Sequence, residues 1–189
     1  MKQAGLLNRT VIIVLMVLVH GLYSSFISIA QPDGEDRLEV GLVLQHDGIV
    51  KAEETFGLAV VIDLMDSWHI YPGLGSDDEL AGYIATELEL TLPDGWVAGS
   101  VQWPKAHDFL FGPEGYQEEL RVYEGRAIAY VPITVGEGVD VGMYEIGAKV
   151  KYQACDDMIC EMPASSDALI EAKVSDALDE VTEDSAEVI

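Results

Sequence analysis

The chain alternates apolar and polar residues with a period of two over several long stretches, and no other feature narrows its possible folds so far. Leu38, Val40, Leu42 and Leu44 face one way while Glu39, Gly41 and Gln45 face the other, and Leu58, Val60, Ile62 and Leu64 repeat the pattern. It returns in Leu88, Leu90 and Leu92, in Ala127, Ala129, Val131, Ile133 and Val135, and most cleanly in Tyr144, Ile146, Ala148, Val150 and Tyr152. Side chains of a strand alternate between its two faces, so each run reads as a strand with one face buried. Turn formers separate the runs: Asp47-Gly48, Pro72-Gly73 with Gly75, Pro93-Asp94-Gly95, Gly112-Pro113 with Gly115, and Gly136 with Gly138. Short alternating strands with this punctuation predict an all-β fold, an immunoglobulin-like antiparallel β-sandwich, with a small barrel as the competing architecture. Residues 73–82 and 106–119 read as the two longest irregular connections, where sites on a rigid sandwich tend to sit.

Composition bounds function before any motif does. Of 189 residues 49% are apolar, enough to bury a core. Ten basic residues against 34 acidic ones give a net charge of −24. A surface so negative repels phosphate backbones and anionic lipid headgroups, so nucleic acid is not an expected partner. Lys2 and Arg9 precede an unbroken apolar run from Val11 to Val19, followed by Ser28-Ile29-Ala30. This three-part pattern predicts an export signal over residues 1–30, cut before Gln31. The alternative is an uncleaved anchor, which would be the chain's one association with a membrane. Either way the remainder is expected outside the cytoplasm, periplasmic or secreted, as one β-sandwich domain over residues 31–174. An acidic tail over residues 175–189 follows, without a basic residue after Lys173.

The only cysteines, Cys155 and Cys160, follow the best strand directly. In an oxidising compartment they are expected to pair with each other. A ring this small contributes only roughly 2 kcal/mol through loop-closure entropy, little for a structural staple. Spacing alone leaves a structural clip and a redox-active pair equally open. Asp156 and Asp157 disfavour a thiolate at Cys155, which suits a carrier that reacts only in a docked complex. The chain also lacks the two-residue cysteine spacing of a thioredoxin. Cys155, Met158, Cys160 and Met162 are four soft sulfurs within eight residues, an alternative set for Cu(I). Zinc is less suited, since His46, His69 and His107 hold no fixed spacing to the cysteines. His69 and His107 read as surface or loop residues, and Trp68, Trp96 and Trp103 as core or edge aromatics. No Gly-x-Ser-x-Gly motif supports a hydrolase.

Several short motifs occur in a fixed order: Trp68-His69-Ile70-Tyr71-Pro72, Leu92-Pro93-Asp94-Gly95-Trp96, Trp103-Pro104-Lys105, Val131-Pro132-Ile133, and Tyr152-Gln153-Ala154-Cys155 with Cys160 and Pro163 behind it. From about Phe56 to Val174 this order resembles the amino-terminal periplasmic domain of the thiol:disulfide interchange protein DsbD. The resemblance implies an immunoglobulin-like domain that relays reducing equivalents by thiol-disulfide exchange and needs no cofactor. The implied donor is a thioredoxin-like or membrane thiol-reductant protein. The implied acceptors are periplasmic thiol proteins, among them isomerases and cytochrome c maturation factors.

Carried over residue by residue, the resemblance makes Cys160 the site of the mixed disulfide and Cys155 the resolving partner. It makes Phe109, Leu110 or Phe111 the cap over the sulfurs, Asp108 the loop acid beside them, and Tyr71 the aromatic wall beneath. Four residues separate the cysteines here, whereas the spacing within the family varies. The membrane and thioredoxin segments of the full protein are missing from these 189 residues, so electrons are expected from a separate polypeptide. The reading from a different class is a copper-binding or protein-interaction module whose disulfide is structural.

Overall fold

The alternating runs become strands because each carries enough β-branched and leucine side chains on one face to cover a neighbouring sheet. In a computed structural model of the protein, which describes residues 37–78 and 82–176, these strands form two antiparallel-rich sheets and a third, smaller one. The export segment expected over residues 1–30 lies outside the described residues, as does the acidic tail beyond Asp176.

The first sheet has the order β1 (Leu38–Leu44), β3 (Thr55–Leu64), β9 (Arg126–Val135) and β6 (Trp96–Ala98). The second has the order β2 (Ile49–Val50), β11 (Ala164–Val174), β10 (Gly142–Tyr152) and β5 (Glu87–Thr91). All pairings are antiparallel except the two-residue contact of β2 with β11. Register follows burial. Leu58, Val60 and Ile62 of β3 oppose Val131, Ala129 and Ala127 of β9, and all six are buried. They meet Ile146, Val150, Tyr152, Ala172 and Val174 of the second sheet in one core cluster, which makes the architecture a sandwich.

Two elements go beyond the periodicity seen in the sequence. β11 pairs with β10 along its whole length, yet its inward positions begin with Ser166 and Ala168, so its apolar signal is weak. The connection expected to be irregular over residues 106–119 is mostly a hairpin. β7 (His107–Phe111) pairs with β8 (Glu118–Glu124) across a turn through Gly112 and Gly115, both at positive φ. With β4 (His69–Ile70) these strands form the third sheet, in the order β4-β8-β7. Gly125, at φ 60°, turns the chain directly from β8 of the third sheet into β9 of the first. The small sheet is therefore continuous with the sandwich along the backbone.

Trp96 is buried in the core, Trp68 and Trp103 pack at its margin, and Trp103 stacks on Tyr123. The backbone of Gly73 passes directly beneath the Trp103 indole, where a Cβ would collide with the ring. The amide of Gly73 also donates to the Tyr123 hydroxyl at 3.2 Å. Gly73→Ala is therefore expected to displace Trp103 and cost about 1–3 kcal/mol as an overpacking change. The measurement is the urea midpoint at constant denaturant slope; an unchanged midpoint would mean the indole yields without loss.

Candidate functional site

The small sheet meets the end of β10 through its shortest strand, β4. The amide of His69 donates to the Cys155 carbonyl at 2.9 Å, and the amide of Cys155 donates to the His69 carbonyl at 3.0 Å. This two-bond bridge fixes the first cysteine against the small sheet. Beyond it the chain makes a tight reversal. The Asp156 carboxylate accepts from the amides of Met158 and Ile159 at 2.7 and 2.8 Å, and the Asp156 amide donates to the Ile159 carbonyl at 2.9 Å. Those backbone donors hold the Asp156 carboxyl below the usual carboxylate range. The returning strand is anchored by the Glu161 amide on the Ala154 carbonyl, by Gln153 on the Glu161 carbonyl at 3.0 Å, and by Arg37 on the Glu161 carboxylate at 2.7 Å. The Arg37 guanidinium also lies 4.3 Å above the Trp68 ring.

Within this frame Cys155 and Cys160 form a disulfide. The two sulfurs belong to residues in opposite surroundings. Cys155 is 0% exposed and sits in an apolar cluster with Tyr71, Leu120 and Val122, while Cys160 is exposed. The Tyr71 hydroxyl donates to Cys155 Sγ at 3.4 Å and lies 3.8 Å from Cys160 Sγ. Burial pushes the Tyr71 phenol far above its ordinary value, so it keeps its proton. Tyr83 stacks on Tyr71 with ring centroids 4.4 Å apart and donates to Glu118 at 3.3 Å.

The hairpin residues divide by parity. His107, Phe109 and Phe111 lie on one side of β7, and Asp108 and Leu110 on the other. Phe109 and Phe111 pack on the cluster that holds Cys155 and Tyr71. Leu110 is 57% exposed and turns away. Asp108 is held in an ion pair by Arg121, which also reaches Asp78 at 3.2 Å. Of the sequence-level candidates, Cys155, Cys160, Tyr71, Phe109 and Phe111 converge, whereas Asp108 and Leu110 face outward. In the alternative copper set, both cysteine sulfurs are bound to each other, and Met158 and Met162 are solvent-exposed.

His69 corrects the sequence reading. It is 0% exposed, not a surface or loop residue, and its ring packs tilted against Phe109 with centroids 4.3 Å apart, with Tyr71 at 5.8 Å and Phe111 at 6.2 Å. Neither ring nitrogen has a hydrogen-bond partner among the described residues. His107 behaves as expected, exposed and bonded to Glu124 at 2.6 Å. Reading Trp68 to Tyr71 as a strand places His69 and Tyr71 on one face and is the signal that reveals the histidine. Tyr83 and Arg121 carry no comparable signal.

The family model described as thiol:disulfide interchange protein DsbD, N-terminal, matches residues 39–172. The chain belongs to this family. Its members are periplasmic domains of thiol-disulfide exchange, and thiol-redox proteins are their partners in general. Among the described residues no helix is long and apolar enough to cross a membrane. Similar solved structures include the N-terminal periplasmic domain of ScsB from Proteus mirabilis, at 12% identity and a TM-score of 0.46, covering 77% of this chain. This chain spans 49% of that one. A family 123 glycoside hydrolase from Clostridium perfringens shows 13% identity and a TM-score of 0.37, covering 74% of this chain and 27% of its own. AvmM, which catalyses macrocyclization in alchivemycin A biosynthesis, shows 10% identity and a TM-score of 0.37, over 78% and 94%. Likenesses this distant say nothing of activity. No curated protein matches the chain.

Burial pushes the His69 imidazole below its ordinary value of 6.5, with Glu124, Asp157 and Asp156 partly opposing. The unfolded chain then binds a proton that the folded chain resists, so stability is complete above pH 6.5 and falls as the pH drops through that value. His69→Phe is expected to remove this part of the acid sensitivity. Melting temperatures from pH 7.5 to 5 measure it, and parallel curves for the two proteins would refute it.

Proposed function

We propose that the protein is an extracytoplasmic dithiol/disulfide carrier. The carrying observation is the asymmetry of the disulfide, with Cys155 fully buried and Cys160 exposed. The functional domain is residues 31–174, delivered by the signal over residues 1–30. Electrons enter from a thioredoxin-like or membrane thiol-reductant protein and leave to periplasmic thiol proteins, with no cofactor.

The geometry supports one polarity of attack. An incoming thiolate meets Cys160 Sγ, forms a mixed disulfide there and expels Cys155 Sγ as the leaving thiolate. The partner's second thiolate then attacks its own sulfur in that mixed disulfide and releases the reduced carrier. The Tyr71 hydroxyl, 3.4 Å from Cys155 Sγ, is aimed at the charge that appears on departure. Phe109 and Phe111 cover the interior side of the pair, the place the family's cap occupies, and a docked partner need only reach Cys160. Leu110 and Asp108 act at the outer rim of the hairpin.

Equilibration of the protein with a thioredoxin couple, followed by counting of free thiols, tests the carrier. A potential between about −270 and −180 mV is expected, the range of working thiol carriers, whereas one below about −300 mV marks a structural disulfide. Tyr71→Phe removes a hydrogen bond to a charged group, commonly about 1.5–3 kcal/mol. It is expected to slow reduction by reduced thioredoxin roughly tenfold or more in stopped-flow fluorescence; an equal rate would take the hydroxyl out of the reaction.

A further inference from the structure

The exchange chemistry leaves His69, an ionisable side chain buried beside it, unused. A polar group with no partner in the interior costs about 1–3 kcal/mol, and native structures keep few of them. His69 keeps two such nitrogens, under Phe109 and beside Tyr71. Its position is defined by the bridge with Cys155, in which both backbone hydrogen bonds are exchanged. Facing residues of an antiparallel pair project to the same side with Cβ atoms about 5 Å apart. The imidazole and the Cys155 sulfur therefore share one pocket.

When the reduced carrier delivers electrons, Cys155 must ionise inside that pocket. Burial and the carboxylates of Asp156 and Asp157 both oppose a thiolate there. Tyr71 cannot take the proton, since its own hydroxyl is a donor to that sulfur. We propose that His69 is the proton acceptor for Cys155 in the resolving step, an inference that rests on the carrier reading above. Cys160 has by then attacked the acceptor's disulfide and holds one acceptor sulfur. The Cys155 thiol proton passes to the imidazole, and Cys155 Sγ attacks Cys160 Sγ. The Cys155–Cys160 bond forms and the bond from Cys160 to the acceptor breaks. The acceptor leaves as a thiolate and takes its proton from the imidazolium or from water. The carrier is oxidised by two electrons and the acceptor is reduced by the same two. In reverse, the imidazole takes a proton from the incoming partner thiol or from water and passes it to Cys155 as that sulfur departs.

The surroundings suit a base that is neutral at rest and transiently charged. Glu124 faces His69 across the β4-β8 register and is bonded to His107 of β7. Asp156 and Asp157 approach from the cysteine reversal, and Glu124, Asp157 and Asp156 all favour the imidazolium, while burial and His107 oppose it. The proton thus has a destination that is stabilised only while it is held.

The test uses the chemically reduced protein and 5,5′-dithiobis(2-nitrobenzoate), a small aromatic disulfide. Attack by exposed Cys160 releases one nitrothiobenzoate in a phase that depends on reagent concentration. Ring closure by Cys155 releases the second in a phase that does not. His69→Gln is expected to slow the second phase about 100-fold, in the range of general-base effects, while the first keeps its rate. The unmutated protein is expected to show a plateau in the second phase above a break below pH 6.5, and the variant a steady rise with pH up to the thiol's own ionisation. Equal second-phase rates, a slowing that leaves the pH profile unaltered, or no break in the unmutated protein would each overturn the proposal. His69→Phe, which fills the aromatic pocket, makes the same comparison if the glutamine variant does not keep its near-ultraviolet spectrum. The reagent needs no docking partner, so a structural potential would sink the carrier while leaving the proton acceptor to be judged on its own.

Discussion

The bridge between His69 and Cys155 ties together parts of the chain that the sandwich alone would leave separate. β10 belongs to the second sheet, yet its continuation is bonded to β4 of the small sheet through two main-chain hydrogen bonds of 2.9 and 3.0 Å. A main-chain bridge has few soft degrees of freedom, so the first cysteine is placed with the precision of a sheet and not of a loop. The interior half of the site follows from that placement. Tyr71 reaches Cys155 Sγ because it lies two residues beyond the bridged His69, on the same face. Phe109 reaches His69 because β7 and β4 are both carried by β8.

Cys160, by contrast, is placed by the reversal that begins at Asp156, and that reversal is built from local bonds. The Asp156 carboxylate satisfies the amides of Met158 and Ile159, and Glu161 is bound by Arg37. Such bonds shape a loop without enclosing it. Met158, Ile159 and Met162 stay exposed around the second cysteine. One sulfur is thus embedded in a rigid interior and the other presented on a shaped surface, and a single covalent bond joins the two environments.

Much of this is legible in the amino-acid order. The alternation in β1, β3, β9 and β10 marks the long strands of both sheets, because there the inward positions stay apolar over seven to eleven residues. The cysteine pairing follows from compartment and number. The hairpin β7-β8 is not legible, because its strands are short, lie on a small sheet and flank a Gly-Pro-Glu-Gly turn that reads as a loop. β11 is hidden by Ser166 and Ala168 at inward positions, small residues that satisfy packing without announcing it. His69 is faint for a different reason. Its strand has only two residues, so the one signal of its inward face is the parity it shares with Tyr71.

That burial bears on how a strongly acidic domain exchanges thiols at all. With a net charge of −24 and Asp156 and Asp157 beside the first cysteine, the long-range field opposes a thiolate everywhere on this molecule. A surface reaction at Cys160 can borrow its nucleophile from a partner, whose own thiolate supplies the charge. An interior reaction at Cys155 cannot, since nothing from solvent reaches a residue of 0% exposure. The same carboxylates that penalise the thiolate favour a cation next to it. A neutral imidazole that gains a proton as the sulfur loses one leaves the net charge of the pocket unchanged. Proton transfer across the bridged pair therefore avoids the cost that the field imposes on a lone buried thiolate, and that cost is the reason the acceptor must lie inside the domain.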